Sequence, residues 1–432
     1  MRKPKEENRL NNFNEATHVS TVIEEIFARK IFNSRGEMTI EVEVTTMAGF
    51  GKASAPAGAS RGKAEVVPYP KGGVEEAIEK VEKLITPELV GMDADEQEEV
   101  DLLLHRIDGT EHFENLGGNT VYAVSLAIAE AAALSYGVPL FQHLGGHFAS
   151  ELPHPLGNVL GGGKHTFGKA PDIQEFLVLP IETHSFTDAA LANILVHERI
   201  GSLLQKIDKT FTGGRGDEGA WAPSIESEDA LNILVKACKE VADEYGHLCK
   251  VGVDVAASTL WKPKERYYLY PRDKVKRNSG EQLDFVLDLI NKYDLVYVED
   301  PFHEEDFENF AELTKKAKKC LICGDDLFAT NTKRLARGTK MNAANAVIIK
   351  VNQVGTLTDA FEAIKMAKKS RYIPIVSHRS GETTDAHIAH IAVASHCPII
   401  KTGVIGGSRV AKINELLRIE ESLGNRARMS FL

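Results

Sequence analysis

LVYVEDPFHEEDFENFAELTKKAKKCLICGDD, running from Leu295 to Asp326, holds the repeat on which the fold turns. An apolar run over 295–298 stops at Glu299-Asp300, and a second over 320–323 leads into Asp325-Asp326. Between them, apolar residues recur at helical spacing over 307–318. Short strands that are apolar on both faces, separated by amphipathic helices, predict parallel strands covered by helices. The pattern extends both ways. Further apolar runs lie at 174–179, 247–255, 346–349, 373–376 and 399–400, with helical segments at 228–245, 280–292 and 358–369. Repeated β-then-α units on this scale favour a closed (β/α)8 barrel over residues 153–432.

The preceding residues read differently. Residues 23–47 alternate in strand fashion around an Asn33-Ser34-Arg35-Gly36 turn, and a Gly/Ala/Ser/Pro-rich loop follows over 49–62. Helical spacing returns at Val74, Ala77, Ile78, Val81 and Leu84, and again over 100–107. Residues 120–135 read as a strongly apolar helix with Asn119 as its N-cap. This makes residues 22–152 an α+β capping domain, after a polar extension over 1–21. The expected fold class is α/β, a capping domain followed by a barrel.

The chain has 432 residues, 43% hydrophobic and 26% charged, with a formal net charge of -11. That balance suits a protein with a large core and argues against a general nucleic-acid binder. The N-terminus has no secretory pattern, and the longest apolar stretch is too short to span a bilayer, so a cytoplasmic protein without a membrane anchor is expected. The five cysteines are scattered. Cys320 and Cys323 form a CxxC without a second pair, which reads as buried core thiols rather than zinc ligands. Gly214 to Gly219 fits GxGxxG, but Trp221-Ala222-Pro223 follows where a dinucleotide fingerprint needs a helix.

A barrel builds its active site at one rim. Asp254, Glu299-Asp300 and Asp325-Asp326 stand at the ends of three successive apolar runs, Lys350 and Lys401 at the ends of later ones, and His378-Arg379-Ser380 after 373–376. Glu175 lies beside another run. Converging carboxylates repel one another unless a cation joins them, and all-oxygen ligation suits Mg²⁺. A lysine beside a metal and a second cation is expected to have a lowered pKa and to serve as a base for a proton α to a carboxylate.

Residues 350–356, 377–383, 299–302, 216–219 and 414–421 together resemble the enolase family, and the likeness covers residues 23–424. The resemblance implies a reversible Mg²⁺-dependent dehydration of 2-phosphoglycerate to phosphoenolpyruvate. It implies Asp254, Glu299 and Asp325 as ligands of a first Mg²⁺, and Ser60 as a ligand of a second that arrives with substrate. It implies Lys350 as the base at C2, Glu218 as the acid at the C3 hydroxyl and Glu175 as its support. Lys401 and the metal ions would hold the substrate carboxylate, with Glu175, Glu299 and Asp325 also implied as substrate-binding. His165 and His378 would touch substrate, and Arg379 and Ser380 would bind its phosphate. A homodimer or higher homo-oligomer is also implied. The chain departs from the family pattern at Arg61, at Ala220-Trp221 and at Gly406-Gly407. These departures motivate two alternatives, a paralogue acting on another phosphorylated acid and a non-catalytic protein- or RNA-binding scaffold.

Overall fold

The computed structural model describes residues 20–59, 62–166 and 168–432. The capping domain starts with a three-stranded antiparallel sheet, Ile23–Phe32, Met38–Thr46 and Phe50–Ser54. Its third strand falls inside the segment expected to be a loop. Helix Gly118–Ser135 backs the sheet, with nearly every side chain buried. The approach is close enough that a Cβ on Gly51 would stand 1.9 Å from the Ala127 carbonyl oxygen. Glycine is therefore required in a strand it otherwise weakens. The helix begins two residues earlier than expected. Gly117 is its N-cap, and Asn119 lies within the first turn with its side chain accepting from Asn352 Nδ2 at 3.1 Å.

Eight strands close the barrel in the order Tyr297–Glu299, Leu321–Gly324, Ala346–Ile349, Ile373–Ser377, Ile399–Gly403, His154–Gly161, Glu175–Pro180 and Cys249–Asp254. The barrel starts one residue past the expected division, with His154–Gly161, a strand buried along its whole length. Leu156, Leu177, Leu179, Tyr297, Cys323, Ala346, Ile348, Ile375 and Ile399 pack inside it. Cys320 and Cys323 are buried thiols, as expected.

The uniformly parallel sheet expected from the repeat needs one correction. Glu175–Pro180 runs antiparallel to both neighbours. A parallel crossover needs a helix to carry the chain back. Among the described residues between Gly161 and Glu175 there is only a single 3-10 turn, Gly163–His165, so the chain folds back as a hairpin. Two helices, Phe186–Ile207 and Ser227–Tyr245, then follow in succession. The reversed strand presents its first residue, not its last, to the rim. Glu175 pairs with Asp254, and Asp254 pairs with Glu299, so these three carboxylates share one rung. Among the described residues no helix is long and apolar enough to cross a membrane.

Candidate active site

Strand ends bring the expected acids and lysines together. Lys401 is 2% exposed, and its Nζ lies 2.7 Å from Glu299 Oε2, 3.2 Å from Asp254 Oδ2 and 3.2 Å from Glu175 Oε2. Burial disfavours its ammonium form, but the surrounding carboxylates outweigh burial and hold its pKa well above the usual range. Glu299 is fully buried beneath it. Tyr297 Oη donates to Glu299 Oε2 at 2.5 Å, while Glu299 Oε1 has no hydrogen-bond partner among the described residues. Burial and the neighbouring Asp254 charge push Glu299 up to about 7. Burial, with Glu175 and Asp325 adding to it against the pull of Lys401, pushes Asp254 up to about 6.

Asp325 stands on the next strand end. Asp300 orders it: its two carboxylate oxygens accept from the Asp325 and Asp326 amides at 3.0 and 2.7 Å. Asp325 Oδ1 accepts from Gln353 Nε2 at 3.0 Å, and Oδ2 pairs with Lys350 Nζ. The Lys350 amide donates to Thr330 Oγ1 at 2.9 Å. Burial pulls the Lys350 pKa down, but the Asp325 charge and lesser acidic neighbours raise it above the ordinary lysine value.

Across the cleft, Glu218 is buried in a loop after the reversed strand. Asn158 Nδ2 donates to its Oε2 at 2.9 Å, and His378 Nε2 and His165 Nε2 lie at 3.4 and 3.7 Å from its two oxygens. These histidines, with Arg409, outweigh burial and hold Glu218 well below the carboxylate range. His165 Nδ1 pairs with Asp217 Oδ1 at 2.9 Å, and its Nε2 faces Glu175 at 3.4 Å. The acids raise His165 well above the usual imidazole value despite its burial. His378 goes the other way, to about 4, chiefly through burial.

Arg379 is buried between Glu65 Oε2 and Asn352 Oδ1, both at 2.9 Å. Ser380 Oγ is buried without a hydrogen-bond partner among the described residues. Ser60 lies outside the described residues. The cleft between these groups is lined by Glu65, Gln174, Asp254, Asp325, Asp326, Lys350, Arg379 and Lys401, among others.

Three contributors are not singled out from sequence. Asn158 is one polar residue in an apolar strand, a signal that the sequence does carry. Glu65 and Arg409 give none, since their partners lie far along the chain. The motif between Gly214 and Gly219 is part of a loop before helix Ser227–Tyr245, not a strand-to-helix turn.

Comparison with known proteins follows the same division of the chain. A model of the enolase N-terminal domain matches residues 23–144, and one of the enolase C-terminal TIM barrel domain matches residues 149–430. The enolase of Methanosphaera stadtmanae is 54% identical over 94% of this chain and 99% of its own length. Those of Methanothermobacter thermautotrophicus and Pyrobaculum aerophilum are 53% and 49% identical, each over 94% of this chain and 98% of their own.

Proposed function

Since this chain belongs to the enolase family, lyases that interconvert 2-phosphoglycerate and phosphoenolpyruvate, we propose that Lys350 and Glu218 divide its reaction between base and acid. The observation that carries this reading is their placement. Lys350 follows a strand that stands four places around the eight-strand ring from the one that begins at Glu175, beside which Glu218 lies. A substrate between them meets a lysine on one side and a carboxylate on the other, as removal of a C2 proton and departure of a C3 hydroxyl require.

The acids fit Mg²⁺. Asp254, Glu299 and Asp325 stand on three neighbouring strands, offer only oxygen, and include a buried carboxylate oxygen without a partner among the described residues. The upward shifts of Asp254 and Glu299 mark a place short of positive charge. Asp254, Glu299 and Asp325 would hold Mg²⁺ there, and the chemistry it would supply is positive charge against the negative charge that builds on the substrate carboxylate. Our reading includes a second Mg²⁺, held with substrate and with help from Ser60.

Lys350 accepts the C2 proton, and relief of its pairing with Asp325 is what makes it available. Lys401 orients the substrate carboxylate from its seat among the acids. Glu218, supported by Glu175, serves the departing hydroxyl from the other face; the proton it passes on comes from His165, which the surrounding acids keep protonated 3.7 Å from Glu218 Oε1. Arg379 and Ser380 take the phosphate, His378 touches the substrate, and Asn352 and Glu65 keep the guanidinium in plane for a bidentate grip. We place the reaction in the cytoplasm, in a homodimer or higher homo-oligomer without nucleic acid. The working division of the chain is a capping unit to residue 152 and a barrel from residue 153.

Isotope exchange at C2, measured beside net dehydration, separates the two roles. Lys350→Ala is expected to abolish exchange while substrate binding persists. Glu218→Gln is expected to keep some exchange and lose dehydration. Loss of exchange to the same extent in both variants would overturn the division.

A further inference from the structure

Arg409 is 1% exposed and starts no ion pair with an acid among the described residues. It donates instead to two loops of the site. Nη1 reaches His378 Nδ1 at 2.8 Å and the Arg379 carbonyl at 2.6 Å. Nη2 reaches the Ser380 carbonyl at 2.5 Å and the Asp217 carbonyl at 3.2 Å. The last barrel strand leaves room for this only because residue 403 is glycine: a Cβ there would stand 3.0 Å from Arg409 Cγ and 2.3 Å from the Glu218 carbonyl oxygen.

A guanidinium has donors and no acceptor. His378 Nδ1 must therefore accept, and the Gly403 amide points at the same nitrogen from 3.3 Å. With Nδ1 occupied by donors, the ring proton of a neutral His378 belongs on Nε2. That nitrogen faces Glu218 Oε2 at 3.4 Å, in a direction that falls short of a formed hydrogen bond. The groups that face the imidazole are thus Glu218 on one side and Arg409 on the other, with Glu382 farther off.

We propose that Arg409 is a positioning residue that fixes His378 as a neutral Nε2–H donor aimed into the cleft at Glu218. The inference rests on the reading of Glu218 as the acid, since it gives His378 the task of holding that carboxylate's orientation. The burial of His378 and the cation at its Nδ1 both keep the ring from protonating, so it neither delivers nor takes a proton during turnover.

Nitrogen NMR of protein labelled with ¹⁵N-histidine, with His378 assigned through His378→Gln, reads the tautomer directly. The expected wild-type result is an acceptor Nδ1 and a protonated Nε2 that stay unchanged from pH 5.5 to 8.5. Arg409→Met is expected to let the ring titrate or mix tautomers, to lower kcat by about 10²-fold with a smaller effect on KM, and to add an acidic limb to the pH profile. Arg409→Lys, which keeps a cation and its donors on a single nitrogen, is expected to restore the tautomer and part of kcat. A protonated Nδ1 in the wild type would overturn the proposal. So would a folded Arg409→Met variant with unchanged His378 signals and pH profile. The spectra do not depend on turnover, so a failure of the proposed activity would be seen separately, as wild-type protein inert toward 2-phosphoglycerate with His378 still an Nε2–H donor.

Discussion

Glu415 offers a residue-scale test outside the cleft. It accepts from Arg418 Nη1 at 2.7 Å and faces His390 Nε2 at 3.2 Å. Those partners, His390 first, hold its carboxyl at about 2 against a usual 4.5. A depressed folded-state pKa contributes stability above the unfolded value and loses it as pH falls through the folded one. The contribution is therefore full above about pH 5 and fades between there and pH 2. Because the site is half-buried and water screens it, about 1 kcal/mol is expected rather than the full equivalent of the shift. Glu415→Gln should lower the urea midpoint at pH 7, with the gap to wild type closing as pH falls toward 3. Equal midpoints at pH 7 would remove the assignment. Individual residues were legible from sequence where they end an apolar run, as Glu299 and Lys350 do. Arg409 was not, because its worth lies in carbonyls and a ring nitrogen that only the closed barrel brings to it.

Elements were legible where composition and spacing agree. The apolar helix Gly118–Ser135 needs no tertiary information, but its cap does: Gly117 adopts a positive φ that an asparagine two residues later could not replace. Strand Phe50–Ser54 was hidden because Gly51 and Ala53 have low strand propensity, and packing against the helix decides the matter. Gly51→Ala places a methyl against the Ala127 carbonyl and must part strand from helix. A loss of about 2–3 kcal/mol is expected, measurable as a lower urea midpoint. A variant as stable as wild type would mean the sheet slides at no cost. The reversed barrel strand was hidden for another reason. Its residues are as apolar as those of its neighbours, and direction is set by the missing helix before it.

At the scale of the whole molecule, the capping domain and the barrel mouth share buried polar groups. Asn352 Nδ2 donates to the Pro56 carbonyl at 3.0 Å, Ala57 and Gly381 exchange backbone hydrogen bonds, and Asp385 accepts from the Ser54 amide at 2.6 Å. Glu65 of the cap neutralises Arg379 of the barrel. Glu65→Ala leaves a buried guanidinium without its acid, which is expected to cost about 3 kcal/mol and to raise KM. Inorganic phosphate should then raise the melting temperature of the variant more than that of wild type. Equal stabilisation would show that Arg379 does not sense the loss. The two-part architecture was legible from the switch of periodicity near residue 150, whereas the pairing of cap to barrel was not, since it joins residues hundreds apart. The reversed strand has a further consequence, for redesign. Its leading loop, which carries His165 and Gln174, opens at the working face, while its trailing turn after Pro180 opens at the opposite end, where Glu182 and His184 are exposed. New chain termini or a grafted peptide placed in that trailing turn would sit a full barrel's depth from the chemistry, making it the natural point for circular permutation.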